Sequence, residues 1–174
     1  MALKESPSQT AGPYVHIGCT PQTAGLERRS MGAQLGEDVA RDAAAITLDI
    51  TVLDGAGEPV RDALIEIWQV GFNESPGQWA RRAADLETGL ARFTTLKPGA
   101  AEGQTPHILV WIAARGINLG LTTRVYFPDE DNANDPVFGL AGDRAKTMVA
   151  EPTKAGYAHV IHLQGPRETV FFDV

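Results

Sequence analysis

At 174 residues, 43% of them hydrophobic, the chain is long enough for one domain with an ordinary core and too apolar to be disordered. A net charge of −7 disfavours a nucleic-acid role, because phosphate binding draws on clustered Lys and Arg, and the pairs Arg28-Arg29 and Arg81-Arg82 are too short to form a basic patch. A lone cysteine, Cys19, excludes an intramolecular disulfide, and neither a secretory leader nor an apolar run of about 18 residues is present, so a reducing, cytoplasmic setting is expected.

Residues 1–45 read as irregular: they hold Pro7, Pro13, Pro21 and five glycines, with only a weak helical hint over 37–45. From residue 46 the pattern turns to period two. Ile46, Leu48, Ile50 and Val52 alternate with polar residues, which marks 46–52 as a half-buried strand. Asp54-Gly55-Ala56-Gly57-Glu58-Pro59 is a turn cluster. A strand is predicted over 63–70, a polar loop over 71–89, and a strand over 91–96 that stops at Lys97-Pro98-Gly99. Further strands are expected over 107–114, 121–127, 144–151, 157–163 and 168–174. Many short strands between turn signals imply an all-β fold: an antiparallel β-sandwich core over 46–174, with an irregular N-terminal segment and long loops.

The residues with chemical potential are few. Of the four histidines, His16 and His107 stand far apart, while His159 and His162 are three apart on a predicted strand and so point to opposite faces, which favours structural or surface roles. The acidic stretch from Asp129 to Asp135 fails the EF-hand pattern: Ala133 falls on a ligand position, Asn134 replaces the glycine and Leu140 the closing glutamate. It reads instead as a solvated loop or a helix N-terminus. No nucleotide-binding loop and no Gly-x-Ser-x-Gly elbow is present, and Cys19 has no adjacent activating base. Arg115 follows a long strand and opens a turn, where a guanidinium is either a plain surface group or a clamp for a carboxylate through two parallel hydrogen bonds.

Several segments in order are distinctive. Ser8-Gln9-Thr10-Ala11-Gly12-Pro13-Tyr14-Val15-His16 opens the chain, and Asp54-Gly55-x-Gly57-x-Pro59-Val60-x-Asp62-Ala63-x-Ile65-Glu66-Ile67-Trp68-Gln69 follows. Then come Phe93-x-Thr95-x-Lys97-Pro98-Gly99, Pro106-His107-Ile108, Ala114-Arg115-Gly116-Ile117-Asn118 and Glu168-Thr169-Val170-Phe171-Phe172-Asp173. Over nearly its whole length the chain resembles the intradiol ring-cleaving dioxygenases, and within them the alpha chains of two-chain enzymes.

That resemblance implies a β-sandwich whose ferric iron, held by two tyrosinates and two histidines, binds a catechol through both hydroxyls. Dioxygen then opens the ring between the hydroxyl-bearing carbons; 3,4-dihydroxybenzoate would give 3-carboxy-cis,cis-muconate, a step in aromatic-compound degradation. The family's His-x-His pair is here His107-Ile108-Leu109, its tyrosine after Pro-Gly is Ala100, and residues 71–89 contain no tyrosine, Trp79 being the nearest aromatic. Ala and Leu offer no donor atom and Trp only an N–H, so no iron is expected on this chain and His107 becomes a vestigial ligand position. Fe(III) is expected on a partner, an iron-bearing beta chain, with the active site at the interface and residues 1–45 forming an arm packed on that partner. On this reading the chain has no catalytic residue of its own. Arg115 would face the substrate acid, with Thr10, Gly12, Pro13 and Tyr14 lining the cavity. The alternative is a β-sandwich binding or structural module with no enzymatic role.

Overall fold

The structure is a computed structural model that describes residues 10–21, 23, 25, 44–70, 77–100 and 103–173. Among the described residues a short helix, α1 (Pro13–Cys19), precedes eight strands: β1 (Ala45–Leu53), β2 (Leu64–Gln69), β3 (Gln78–Ala83), β4 (Leu90–Leu96), β5 (His107–Ala113), β6 (Leu121–Tyr126), β7 (Glu151–Pro152) and β8 (Gly156–His162). A second short helix, α2 (Pro136–Leu140), lies between β6 and β7. The strands form two four-stranded sheets, ordered β4-β1-β8-β7 and β3-β2-β5-β6.

The alternation read from the sequence is what joins the two sheets. Leu48, Ile50 and Val52 of β1 and Ile108, Val110 and Ile112 of β5 are all fully buried, and both sets belong to one core with Ile65, Ile67, Phe93, Val125 and Ile161. Each such side chain contributes about 1.5–3 kcal/mol by leaving water. The all-β sandwich is therefore the fold, with one departure from the antiparallel expectation: β1 and β8 run parallel, in the register Ile50↔His159 and Val52↔Ile161. The other strand pairs among the described residues are antiparallel.

Four sequence expectations need correction. The N-terminal segment is not wholly irregular, because Pro13 at the first helical position and Gly12 as cap open α1. The loop expected over 71–89 contains β3, an edge strand whose only fully buried side chain is Ala80, too weak a signal for period two. The strand expected over 144–151 is mostly a 3-10 helix, Gly142–Met148, whose buried residues Ala145 and Met148 are three apart, the spacing that stacks side chains in that helix. The strand expected over 168–174 joins no ladder among the described residues, which end at Asp173. It makes a single bridge, Phe172 to Thr122, and the Phe172 N–H donates to the Thr122 carbonyl at 2.8 Å. The helical hint over 37–45 lies outside the described residues except at its end, where Ala44 is in a turn and Ala45 begins β1. No helix among the described residues is long and apolar enough to cross a membrane.

His159 and His162 do point to opposite faces of β8. His159 is buried in line with Ile161, whereas His162 is half-buried on the other side. With 4% of its surface exposed and its Nε2 without a hydrogen-bond partner among the described residues, His159 is pushed down to about 4, first by burial and further by His162, despite its bond to the Val149 backbone. Between that value and the ordinary 6.5, the unfolded chain binds a proton that the folded chain refuses, so stability falls as pH drops through this window. The share due to His159 is on the order of 3 kcal/mol. Urea unfolding at pH 7.5 and 4.5 should show a smaller acid loss in His159→Leu than in the wild type, and equal losses would contradict the assignment.

Candidate functional site

The site is built where β2 begins and β5 ends. The two strands pair antiparallel with Leu64 opposite Ala113, so the residue two before Leu64 meets the residue two after Ala113. These are Asp62 and Arg115, and the Arg115 Nε donates to Asp62 Oδ2 at 2.8 Å. The chain turns sharply after β5: the Ile117 N–H donates to the Ala114 carbonyl at 3.2 Å, and Gly116 adopts φ of 84°, a left-handed conformation that suits glycine. The turn lifts the Arg115 side chain into solvent, 76% exposed, beside the less exposed Asp62 at 28%.

The N-terminal segment docks on this turn. Thr10 Oγ1 accepts from the Gly116 N–H at 2.6 Å and donates to the Ala114 carbonyl at 3.3 Å, bracketing Arg115 from both sides. Gly12, in extended conformation, caps α1 and its carbonyl accepts from the Val15 N–H at 3.0 Å. From α1, His16 Nε2 donates to the Asp62 carbonyl at 3.1 Å. Of the residues singled out in the sequence, Thr10 thus touches the Arg115 turn directly, while Gly12 and Pro13 continue into the docked helix. Tyr14 projects outward, 85% exposed. A cavity of about 820 Å³ opens beside Arg115, lined among others by Arg61, Asp62, Leu86, Ile117 and Leu163, and Thr10, Gly12, Pro13 and Tyr14 are not part of its lining.

Of the positions matched to the family's iron ligands, His107 and Leu109 lie elsewhere, on the outer face of the second sheet, and Ala100 lies in the loop after β4. His107 Nδ1 donates to the Thr105 carbonyl at 2.8 Å, and its ring lies 5.5 Å from that of its cross-strand partner Tyr126. Burial, and then the charge of Arg124, push the His107 imidazole down, so it is neutral at pH 7. Leu109 pairs with Arg124, whose Nη1 donates to Gln104 Oε1 at 2.7 Å and to Tyr126 Oη at 3.2 Å. Trp79 lies on β3 opposite Trp68, its Nε1 donating to Glu66 Oε2 at 3.4 Å. One imidazole beside a guanidinium cation, with Leu109 and Ala100 in place of donors, does not fit a ferric ion, which favours hard anionic ligands. Among the described residues no three His, Cys, Asp or Glu side chains converge on a common point.

The same region explains the acidic stretch. Asp135 is the N-cap of α2, accepting from the Val137 and Phe138 N–H groups at 2.9 Å each, as the helix-terminus reading anticipates. Its other partners are the Thr105 N–H at 2.9 Å and the Tyr126 hydroxyl at 3.1 Å. Burial would raise this carboxyl, but the bonds outweigh it and hold it below the usual carboxylate range. Tyr126 is pushed up to about 12, chiefly by burial, and so remains a hydrogen-bond donor. Asp129, at the start of the stretch, is exposed enough to pair with Lys97 Nζ at 2.7 Å.

Sequence reasoning missed Asp62, His16 and Arg124 as members of these two clusters. Asp62 stood within a quoted motif, but only the β2/β5 register shows that it meets Arg115.

No family model matches the chain. It is 37% identical to the protocatechuate 3,4-dioxygenase alpha chain of Pseudomonas putida, over 98% of this chain and 97% of that protein. It is 38% identical to the alpha chain of the same enzyme from Burkholderia cepacia, over 99% and 98% of the two chains. The Burkholderia cepacia beta chain is 31% identical over 62% of this chain and 57% of its own length. In fold alone, the chain is similar to an intradiol ring-cleavage dioxygenase from Tetranychus urticae, with a TM-score of 0.59 and 16% identity, over 83% of this chain and 92% of that one. The two-sheet sandwich is thus the scaffold of the intradiol ring-cleaving dioxygenases. Within that class, the chain belongs to the family of protocatechuate 3,4-dioxygenase alpha chains, and it is a dioxygenase subunit.

The docking of the N-terminal segment is open to a direct test. Replacing Thr10 by Val removes the acceptor of the Gly116 N–H, together with the longer bond to the Ala114 carbonyl, while preserving shape. Loss of one such bond, about 1 kcal/mol, should speed exchange of the Gly116 amide about fivefold by NMR. Unchanged protection would show that the segment is held by other contacts.

Proposed function

We propose that this chain is the iron-free subunit of a heteromeric protocatechuate 3,4-dioxygenase, and that Arg115 receives the carboxylate of the aromatic acid at the interface with a beta chain. The observation that carries the reading is the presentation of Arg115. Its guanidinium stands 76% exposed on a turn that is tied down by Thr10 and Asp62, next to a cavity of mixed lining in which Leu86, Ile117 and Leu163 stand beside Arg61, Asp62 and Gln164. An exposed but immobilised cation is suited to meeting a ligand that another chain presents.

In this reading the partner is a protocatechuate 3,4-dioxygenase beta chain, which holds Fe(III). The iron would supply catechol coordination and oxygen chemistry in the conversion of 3,4-dihydroxybenzoate to 3-carboxy-cis,cis-muconate. This chain supplies charge and shape. Arg115 orients the acid through its carboxylate, and Thr10, Gly12, Pro13 and Tyr14 form the near wall as part of an arm, residues 1–45, laid against the partner. His107 keeps a vestigial ligand position, where its neutral ring packs on Tyr126. A cytoplasmic location belongs to the same reading, in keeping with a single cysteine that has no partner within the chain.

A bidentate Arg–carboxylate contact in a partly dehydrated cleft favours binding by about 1.5–3 kcal/mol. Arg115→Ala in the assembled enzyme should therefore raise KM for 3,4-dihydroxybenzoate about ten- to a hundredfold, with a much smaller effect on catechol, which lacks the carboxylate. Equal responses of the two substrates would assign Arg115 a structural role instead. Co-expression with a beta chain should give a coloured complex through tyrosinate-to-iron charge transfer. Stoichiometric iron with ring-cleaving activity in the purified single chain would overturn the division of labour.

A further inference from the structure

We propose that Asp62 is a positioning residue for Arg115, and that it makes the arginine receive a carboxylate end-on, across its two terminal amino groups. The inference rests on the reading of Arg115 given above and extends it to a residue that would not itself touch the substrate.

The geometry that points to it is a contrast between two arginines of this chain. Arg92 gives Asp49 two parallel bonds, from Nε and Nη2, at 2.7 Å each, which uses the side edge of its guanidinium. Arg115 gives Asp62 only its Nε, at 2.8 Å, and among the described residues its terminal amino groups have no hydrogen-bond partner. A guanidinium offers a carboxylate two kinds of bidentate edge, one through Nε and Nη2 and one through Nη1 and Nη2. With Nε occupied, the Nη1–Nη2 edge is the one left for a ligand.

Asp62 is suited to this task because it is itself fixed. Its carbonyl accepts from His16 Nε2 at 3.1 Å, and the next residues, Ala63 and Leu64, are buried at the head of β2. Its two-atom reach leaves little slack, whereas Arg115 has four rotatable side-chain bonds and is exposed. Asp62 also has an opposing effect, since its negative charge weakens the pull of Arg115 on an incoming anion. At an exposed site two unit charges 4 Å apart interact by about 1 kcal/mol in water, while loss of the productive orientation can cost more than that. Orientation is therefore the larger effect.

The test uses the assembled two-chain enzyme, with 3,4-dihydroxybenzoate and catechol as substrates. Asp62→Ala should raise KM for 3,4-dihydroxybenzoate about five- to tenfold with kcat little changed, and leave catechol within about twofold. Asp62→Asn keeps an acceptor oxygen for Nε and should stay within about twofold of the wild type on both substrates. In an Arg115→Ala background, Asp62→Ala should add no further change. A lower or unchanged KM in Asp62→Ala, where Arg115→Ala alone does raise it, overturns the positioning role and leaves the role of Arg115 intact. A rise that is equal for both substrates, or that persists in the Arg115→Ala background, assigns Asp62 to general structure and also overturns it. If Arg115→Ala shows no preference between the substrates, the reading of Arg115 fails and Asp62 falls with it. Should Asp62→Ala not assemble, Asp62→Glu, which displaces the acceptor by one methylene, reads the same substrate-selective rise.

Discussion

The antiparallel register between β2 and β5 places the candidate site before any loop or cavity is considered. Leu64 opposite Ala113 aligns the entry of one strand with the exit of the other, and that alignment brings Asp62 to Arg115. Core side chains on both strands enforce it: Ile65 and Ile67 face inward with Ile108, Val110 and Ile112, and a one-residue slip would turn either set toward water. The position of an exposed arginine is thereby set by buried hydrocarbon. An arginine on a free loop would lose far more orientational freedom on meeting a ligand, and the ligand's binding energy would have to offset that loss.

The outer face of the second sheet carries His107 and Leu109, two of the positions that resemblance matches to the family's iron ligands. His107 remains, but its Nδ1 is engaged by the Thr105 carbonyl and its cross-strand surroundings are Tyr126 and Arg124. Arg124 contributes the positive charge there, and Tyr126 and Asp135 continue the hydrogen bonds inward to the cap of α2. The network is satisfied by the Arg124 guanidinium, neutral side chains, backbone groups and one deeply seated carboxylate. Satisfied in this way, the network supports the β5/β6 register at the end of the sheet away from Arg115.

Much of the sandwich was legible because burial on one face writes itself as alternation. β1, with Leu48, Ile50 and Val52 inward, is the clearest case. The edge strand β3 was not legible, since an edge strand packs little and Ala80 alone marks its inner face. The 3-10 helix from Gly142 to Met148 was mistaken for a strand because Ala145 and Met148, three apart, are too few to separate the two periods. In the site, Arg115 and the opening Thr10 segment could be singled out by resemblance to a family. Asp62 could not be assigned, because its role exists only through pairing of two strands nearly fifty residues apart, and a single sequence carries no record of register. Arg124 was missed for the same reason: its meaning comes from lying opposite Leu109, where a donor is absent.

Two hydrogen-bonded links join α1 and its lead-in to the sheet at one point, Thr10 to the turn around Arg115 and His16 to the Asp62 carbonyl. Each partner in these links is also bound to another: Asp62 holds both His16 and Arg115, and the turn that Thr10 brackets is the one that carries Arg115. The segment and the guanidinium are consequently one mechanical unit, and displacing either disturbs the other. Because α1 has only seven residues and leaves Tyr14 and Ile17 exposed, it buries too little apolar surface to be stable by itself. Its helicity depends on the sheet it touches, so a surface that engaged the exposed side of α1 would also stiffen Arg115. On the function proposed for Arg115, that coupling lets partner contact and substrate orientation arise from the same few bonds.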